Sequence, residues 1–203
     1  RMIGEGMTGV DFIALNTDEQ DLLDCDAPTK LDIGQSTTRG LGAGADPAVG
    51  ERAARDNSQD IEDVLTGADM VFVTAGEGGG TGTGGAPIVA GIARGLGALT
   101  VAVVTKPFSF EGKRRADNAE HGIEKLRDAC DTLITIPNDR LLQQEDKTIS
   151  INEAFSKADE VLFNGVQGIT DLISTPGLIN VDFADVKSVL ADSGAALMGI
   201  GRA

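Results

Sequence analysis

Residues 78–84 read Gly78-Gly79-Gly80-Thr81-Gly82-Thr83-Gly84, and what stands on either side of them decides the fold. Before the run lies an apolar stretch, Asp69-Met70-Val71-Phe72-Val73-Thr74. After it a helix-like stretch opens at Pro87 and continues through Ile88, Val89, Ala90, Gly91, Ile92 and Ala93. The order is strand, glycine loop, helix. Glycine lacks a Cβ and reaches positive φ cheaply, so such a loop can press its backbone N–H groups against a polyanion at the positive end of the following helix. The pattern announces a phosphate site.

Two familiar phosphate loops fail on spacing. A Walker A loop needs G-x-x-x-x-G-K-[ST], but the Gly-Lys pair Gly112-Lys113 has no glycine at the required upstream position and is followed by Arg114. A dinucleotide fingerprint can be drawn through Gly80, Gly82 and Gly85. The acidic residue expected about 20 positions on is then missing, because the chain there reads Val103-Val104-Thr105-Lys106-Pro107. A nicotinamide oxidoreductase is a remote alternative, and a merely flexible linker conflicts with the strand and helix patterns that flank the run.

The 203 residues suit one large α/β unit with a real apolar core. A formal net charge of −15 repels phosphate backbones and acidic membranes, so a nucleotide bound by local backbone donors fits better than a nucleic acid. Cys25 and Cys130 lie far apart without metal-ligand spacing, which points to a reducing, cytoplasmic setting. There is no apolar run near the roughly 20 residues of a membrane span, so direct membrane insertion is not expected. The single histidine, His121, has no Ser or Asp partner pattern and reads as a solvated helix residue. Arg1 at one end and an apparently unfinished strand at residues 196–201 suggest a fragment.

Short apolar runs alternate with helical patterns throughout, as in parallel βαβ units. Strands are expected near residues 10–15, 30–33, 69–74, 99–104 and 131–136. Helices are expected near 18–24, 47–65, 86–96, 111–128, 151–174 and 182–191. Asp46 is a fitting N-cap for the helix that begins at Pro47, and Gly67 can end it. From Ile151 to Ile173 apolar residues recur at the helical period through Ala154, Phe155, Ala158, Val161, Leu162, Val166, Ile169 and Leu172. That helix would run for roughly 35 Å, the width of a domain, with a stripe broad enough to be buried between two layers.

Three further segments stand out: Gly40-Leu41-Gly42-Ala43-Gly44-Ala45-Asp46-Pro47, Lys106-Pro107-Phe108-Ser109-Phe110-Glu111-Gly112-Lys113-Arg114-Arg115, and Asn180-Val181-Asp182-Phe183-Ala184-Asp185-Val186. With the glycine run they resemble the FtsZ family, the prokaryotic relatives of tubulin, over essentially the whole chain. The resemblance implies a Rossmann-like parallel sheet flanked by helices, divided into a GTP-binding domain (1–150), a long central helix (151–175) and a catalytic loop leading into a second domain (176–203). It implies GTP binding and hydrolysis, Mg²⁺, head-to-tail polymerisation with copies of itself, and a place in the cytoplasmic mid-cell division ring. Division-machinery and membrane-anchoring proteins would be its other partners.

The family match also assigns residues. Gly78, Gly79, Gly80, Thr81, Gly82, Thr83 and Gly84 would hold the α- and β-phosphates by backbone N–H groups, with the two threonine hydroxyls as further donors. Ala43, Gly44, Ala45 and Asp46 correspond to the loop that senses the γ-phosphate. Glu111 and Arg115 correspond to a ribose and phosphate pair; without the match they are an i, i+4 surface salt bridge. Asn138 and Asp159 correspond to guanine readers, and Phe155 to a residue stacking on the base or packing in the core. A carboxylate accepting from guanine N1–H and its exocyclic amine finds no such donors on adenine.

Asn180, Asp182 and Asp185 correspond to the catalytic loop. Read without the match, Asp182 and Asp185 are an N-cap and a helix-dipole partner. If Asp159 touches the base, the helix from there to residue 174 carries this loop roughly 22 Å away, out of reach of the same nucleotide. In the family it enters the pocket of the next subunit, a top-to-bottom contact that propagates as an open filament. The family also carries an earlier glycine loop on a strand upstream of Arg1, so residues 1–203 alone are expected to bind GTP weakly. Glu77 stands where methionine is usual and Asp46 where asparagine is, each adding negative charge near a triphosphate. A non-hydrolysing, tubulin-like scaffold is the alternative.

Overall fold

The computed structural model describes residues 3, 7, 9–142, 149–174 and 182–196. Its strands are β1 (Ile13–Asn16), β2 (Thr29–Asp32), β3 (Met70–Gly76), β4 (Leu99–Lys106), β5 (Thr132–Pro137) and β6 (Gly194–Ala196). Its helices are α1 (Glu19–Leu23), α2 (Pro47–Asp56), α3 (Ser58–Leu65), α4 (Thr81–Gly95), α5 (Lys113–Ala129), α6 (Asp139–Leu142), α7 (Ile151–Ser174) and α8 (Phe183–Leu190). A 3-10 turn spans Ser109–Glu111. All strand pairs are parallel: β3-β4-β5-β6 form one sheet and β1-β2 a second.

β4 reads the architecture most directly. Leu99, Val101 and Val103 point into a core shared with Val161, Leu162, Val166 and Ile169 of α7 and Val186 of α8. Ala102 and Val104, on the opposite face, join a core with α2, α3, α4 and α5. Burial on both faces produces the unbroken apolar run of β4, as expected of a strand inside a parallel sheet. β1 and β3 do not pair, and both line one cleft of about 1270 Å³ that also touches α4 and α7. Among the described residues the parallel sheet is thus interrupted between these two strands.

Several expected boundaries shift, each for a packing reason. The helix expected over residues 47–65 is two, α2 and α3, because Asn57 leaves helical geometry (φ −109°, ψ 23°) and donates through Nδ2 to the carbonyls of Ile33 and Ala53. The helix expected from residue 86 starts at Thr81, so half of the glycine run is helical and Pro87 lies inside α4. α6 was not foreseen. The last strand appears at β6, slightly before the expected position, and residues 197–203 lie outside the described ones. α7 has the expected extent, but its stripe packs on one face of the sheet only; Ile151, Phe155 and Leu172 are exposed. Among the described residues no helix is long and apolar enough to cross a membrane.

Candidate functional site

The carboxyl ends of β3, β4 and β5 lie side by side in a parallel sheet, the edge along which such sheets bind ligands. Each strand delivers a segment singled out in the sequence: β3 the glycine run, β4 residues 107–115, and β5 Asn138.

The glycines after β3 have two different jobs. Of the run, only Gly78 has positive φ (105°). Gly80, Gly82 and Gly84 answer close approach, whereas a Cβ on Gly79 would meet nothing within 4 Å. A Cβ on Gly80 would lie 2.7 Å from the Ala43 side chain and 2.9 Å from Asp46 N; one on Gly82 would lie 2.8 Å from Gly76 O; one on Gly84 would strike the carbonyl of Pro47. The run therefore lets α4 press against α2 and the residue 43–46 loop, and the same contact brings the two loops together. The first-turn N–H groups of α4 have no intrahelical acceptors and form a natural seat for phosphate oxygens.

The two threonines differ. Thr81 is half-buried and its hydroxyl meets that of Thr17 at 2.6 Å. Thr83 is 1% exposed, and its Oγ1 accepts from Gly78 N at 2.8 Å. The expectation that Thr83 offers a donor to phosphate is corrected accordingly: its hydroxyl is turned inward and fixes the loop's shape.

The second loop bends through Gly44 (φ 60°) and Ala45 (φ 58°), and Asp46 caps α2, its Oδ1 accepting from Ala48 N at 2.9 Å. Asn118 ties this loop to the glycine run: its Nδ2 donates to Ala45 O at 3.2 Å and to Gly78 O at 3.3 Å. Sequence reasoning missed Asn118. Its signal was available, a polar residue one turn beyond Arg115 on the side of α5 that carries buried Ala119 and Gly122. Thr17, fully buried, was missed too, since nothing local marks it.

After β4, Glu111 accepts from Phe108 N at 2.9 Å and pairs with Arg115 at 2.8 Å. The expected i, i+4 pair forms, with the Arg115 side chain half exposed. Phe108, Phe110 and Phe155 form an aromatic cluster: Phe108 and Phe110 stack at 4.9 Å, and Phe155 stands edge-on to them at 5.3 and 6.3 Å. This cluster fastens the start of α7 to the end of β4. Asn138, only 4% exposed, donates its N–H to Lys106 O while its Oδ1 has no hydrogen-bond partner. An unpaired buried acceptor costs free energy unless a ligand supplies the donor. Asp159 is exposed on α7 and lines the large cleft together with Thr81 and Gly82.

Asp182 and Asp185 are elsewhere. Asp182 Oδ1 accepts from Asp185 N at 2.9 Å, and Asp185 Oδ2 accepts from Asp182 N at 3.4 Å, a reciprocal capping box at the start of α8. The neighbouring Phe183 shares the cleft's lining with Thr170 and Ile173, the C-terminal end of α7. The acids thus sit beside the C-terminal end of α7, whereas Asp159 lies in its N-terminal half. Asn180 lies outside the described residues.

Titration separates the remaining charged groups. Lys125 and Arg55 both bond Glu51 and hold its carboxyl below the usual range. Glu77 is opposite: burial pushes it up to about 7, tempered by nearby Thr83. Burial likewise pushes the Cys130 thiol up to about 11, an inert core residue. Among the described residues no group of three or more His, Cys, Asp or Glu could hold a metal ion.

The family model for the Tubulin/FtsZ family, GTPase domain, matches residues 5–146. The chain belongs to the tubulin/FtsZ family. Two solved structures from M. jannaschii, described as an empty FtsZ dimer and an FtsZ W319Y mutant, are each 50% identical to it, with TM-scores of 0.92 and 0.93. They cover 96% and 97% of this chain, which spans 57% and 59% of theirs. A GDP-bound CetZ1 monomer from Haloferax volcanii is 26% identical, TM-score 0.76, over 90% of this chain and 55% of its own. The tubulin/FtsZ GTPase-domain fold is thereby established for the chain: a parallel sheet flanked by helices, with the glycine run at the first turn of α4.

Proposed function

We propose that the protein binds GTP at the carboxyl edge of β3, β4 and β5 and hydrolyses it to GDP and phosphate in a site completed by a second copy. Residues 78–82 and the first turn of α4 would seat the phosphates, the residue 43–46 loop would meet the γ-phosphate, and Glu111 with Arg115 would approach the ribose and phosphates. Asn138 and Asp159 would read guanine beside Phe155. The orphaned Oδ1 of Asn138 supports a donor-bearing base there. That the M. jannaschii relative is described as a dimer and the Haloferax one as GDP-bound supports self-association and guanine-nucleotide binding here.

The observation that supports the two-copy reading is that Asp182 and Asp185 lie beyond the C-terminal end of α7, whereas Asp159 lies roughly 22 Å before that end along the helix axis. That span would keep one protomer from bringing both to one nucleotide. The capping box leaves Oδ2 of Asp182 and Oδ1 of Asp185 uncommitted in held carboxylates. Entering a neighbour's pocket, these would orient the attacking water and take its proton, with Asn180 helping to position it. Mg²⁺ would supply charge neutralisation when bound with the nucleotide; no cluster of His, Cys, Asp or Glu among the described residues forms a cage for it.

Such contacts propagate as head-to-tail filaments, in keeping with a cytoplasmic, mid-cell division ring and with partners that anchor it to the membrane. The capping box equally supports a non-hydrolysing scaffold, and Asp185→Asn in the full-length protein separates the two. Loss of GTP turnover with filaments retained supports the enzyme; unchanged turnover removes Asp185 from the chemistry. GTP turnover per molecule that stays constant on dilution to the monomer would refute the two-copy site.

A further inference from the structure

Glu77 is the residue at which this site departs from an inert scaffold. It follows β3 directly and precedes Gly78, the one residue of the run with positive φ. Its N–H donates to Thr105 O at 2.9 Å, so the backbone is anchored while the side chain turns inward. The residue is 4% exposed, and neither carboxyl oxygen has a hydrogen-bond partner. Room for it is made by Gly122 on α5, where a Cβ would lie 2.5 Å from Glu77 Oε2 and would also strike the Thr83 methyl.

Among the described residues no cation pairs with this carboxyl. On the elements packed around it, Lys106 pairs with Glu120, Arg115 with Glu111, and Lys125 and Arg55 with Glu51. Arg114 reaches Ala45 O, and Arg94 is held by Asp131 and Asp192 at the far end of α4. His121 and Lys125 face the small cavity beside Thr83 and Gly122, but His121 Nδ1 is engaged with Asp117 O. Lys113, Asp117 and Glu124 are exposed on α5. The polar neighbour is Thr83, whose Oγ1 already accepts from Gly78 N.

We infer that Glu77 makes phosphate binding at the glycine run proton-coupled: the nucleotide is held more tightly while this carboxyl is neutral and more weakly once it ionises. The inference rests on the reading of the run as a nucleotide phosphate seat. A neutral acid is tolerated in the slot. An ionised one places an uncompensated charge beneath a polyphosphate. Binding and protonation then favour one another reciprocally.

The test is GDP titration of the full-length protein and its Glu77→Gln variant between about pH 5.5 and about pH 8.5, a window centred on the neutral range. The terminal phosphate of GDP titrates in the same window, so the ratio of the two dissociation constants at each pH isolates the side chain. The expected ratio, wild type over variant, is near one at the acid end and rises to about tenfold at the alkaline end. A flat ratio with tight GDP binding in both proteins overturns the inference alone. Folded proteins that bind no GDP at any pH overturn the nucleotide reading and the inference with it. Carbon-13 NMR of the Glu77 carboxyl in the wild type serves if the variant does not fold: a near-neutral midpoint that rises on adding GDP is expected, and a midpoint GDP leaves unmoved refutes the coupling.

Discussion

Two glycine-to-alanine changes in one helix should move stability in opposite directions. Gly84 and Gly91 both lie in α4, and a helix-interior glycine normally costs about 0.5–1 kcal/mol relative to alanine. At Gly91 nothing lies within 4 Å of a new Cβ, so Gly91→Ala should stabilise by about that amount. At Gly84 the new Cβ would strike the Pro47 carbonyl and lie 2.5 Å from Glu51 N and 2.9 Å from the Pro47 carbonyl carbon. All three are backbone atoms of α2, which cannot swing aside as a side chain would. The helices must separate, and overpacking of that kind costs about 1–3 kcal/mol, more than the propensity gain.

Because the same contact seats the residue 43–46 loop against Gly80, Gly84→Ala should also weaken GDP binding, whereas Gly91→Ala should not. Urea or thermal unfolding measures the first effect, with a Tm shift of about 2–4 °C per kcal/mol for a domain of this size. Calorimetric titration measures the second. If Gly84→Ala is as stable as the wild type, or both variants shift in the same direction, the claim that these glycines serve helix contact is refuted.

Glu77 predicts how stability varies with pH. Its folded value of about 7 lies above the ordinary 4.5, so the folded state holds a proton that the unfolded state has lost, and stability falls as pH rises through that window. Glu77→Gln should remove about 3 kcal/mol of the difference between the acid and alkaline ends in denaturant melts, and an unchanged profile would count against the buried carboxyl. Asn118→Ala should cost about 1–2 kcal/mol of stability and, on the proposed reading, weaken GDP binding, since one side chain joins the residue 43–46 loop to the glycine run. Equal GDP affinity in variant and wild type would show that the loops hold without it. Asp159→Ala should lower GTP affinity by about tenfold or more and narrow the preference over ATP; competition binding with both nucleotides checks this, and an unchanged preference removes Asp159 from base reading.

The glycine run, the alternation of strands and helices and the full extent of α7 were legible in the sequence because each depends on local pattern: backbone permissiveness, period-two or unbroken apolar runs, and a 3.6-residue stripe. Asp46 as N-cap and the Glu111–Arg115 pair were legible for the same reason, since their partners lie within one turn. Contacts between segments distant in the chain were not. Only packing shows that Gly84 is needed by α2, Gly80 by the residue 43–46 loop and Gly82 by the end of β3, that α4 begins at Thr81, that Thr83 points inward, and that Asn118 spans two loops. Asn57 breaks a helix by reaching Ile33 O, a partner 24 residues away. Burial, too, belongs to the tertiary structure: the sequence shows Glu77 as a negative charge added beside the glycine run, and the fold encloses it against Gly122 with no ion pair among the described residues. A linear sequence states which groups are available, while dielectric, steric clearance and hydrogen-bond partnership are set by neighbours that only the folded chain brings together.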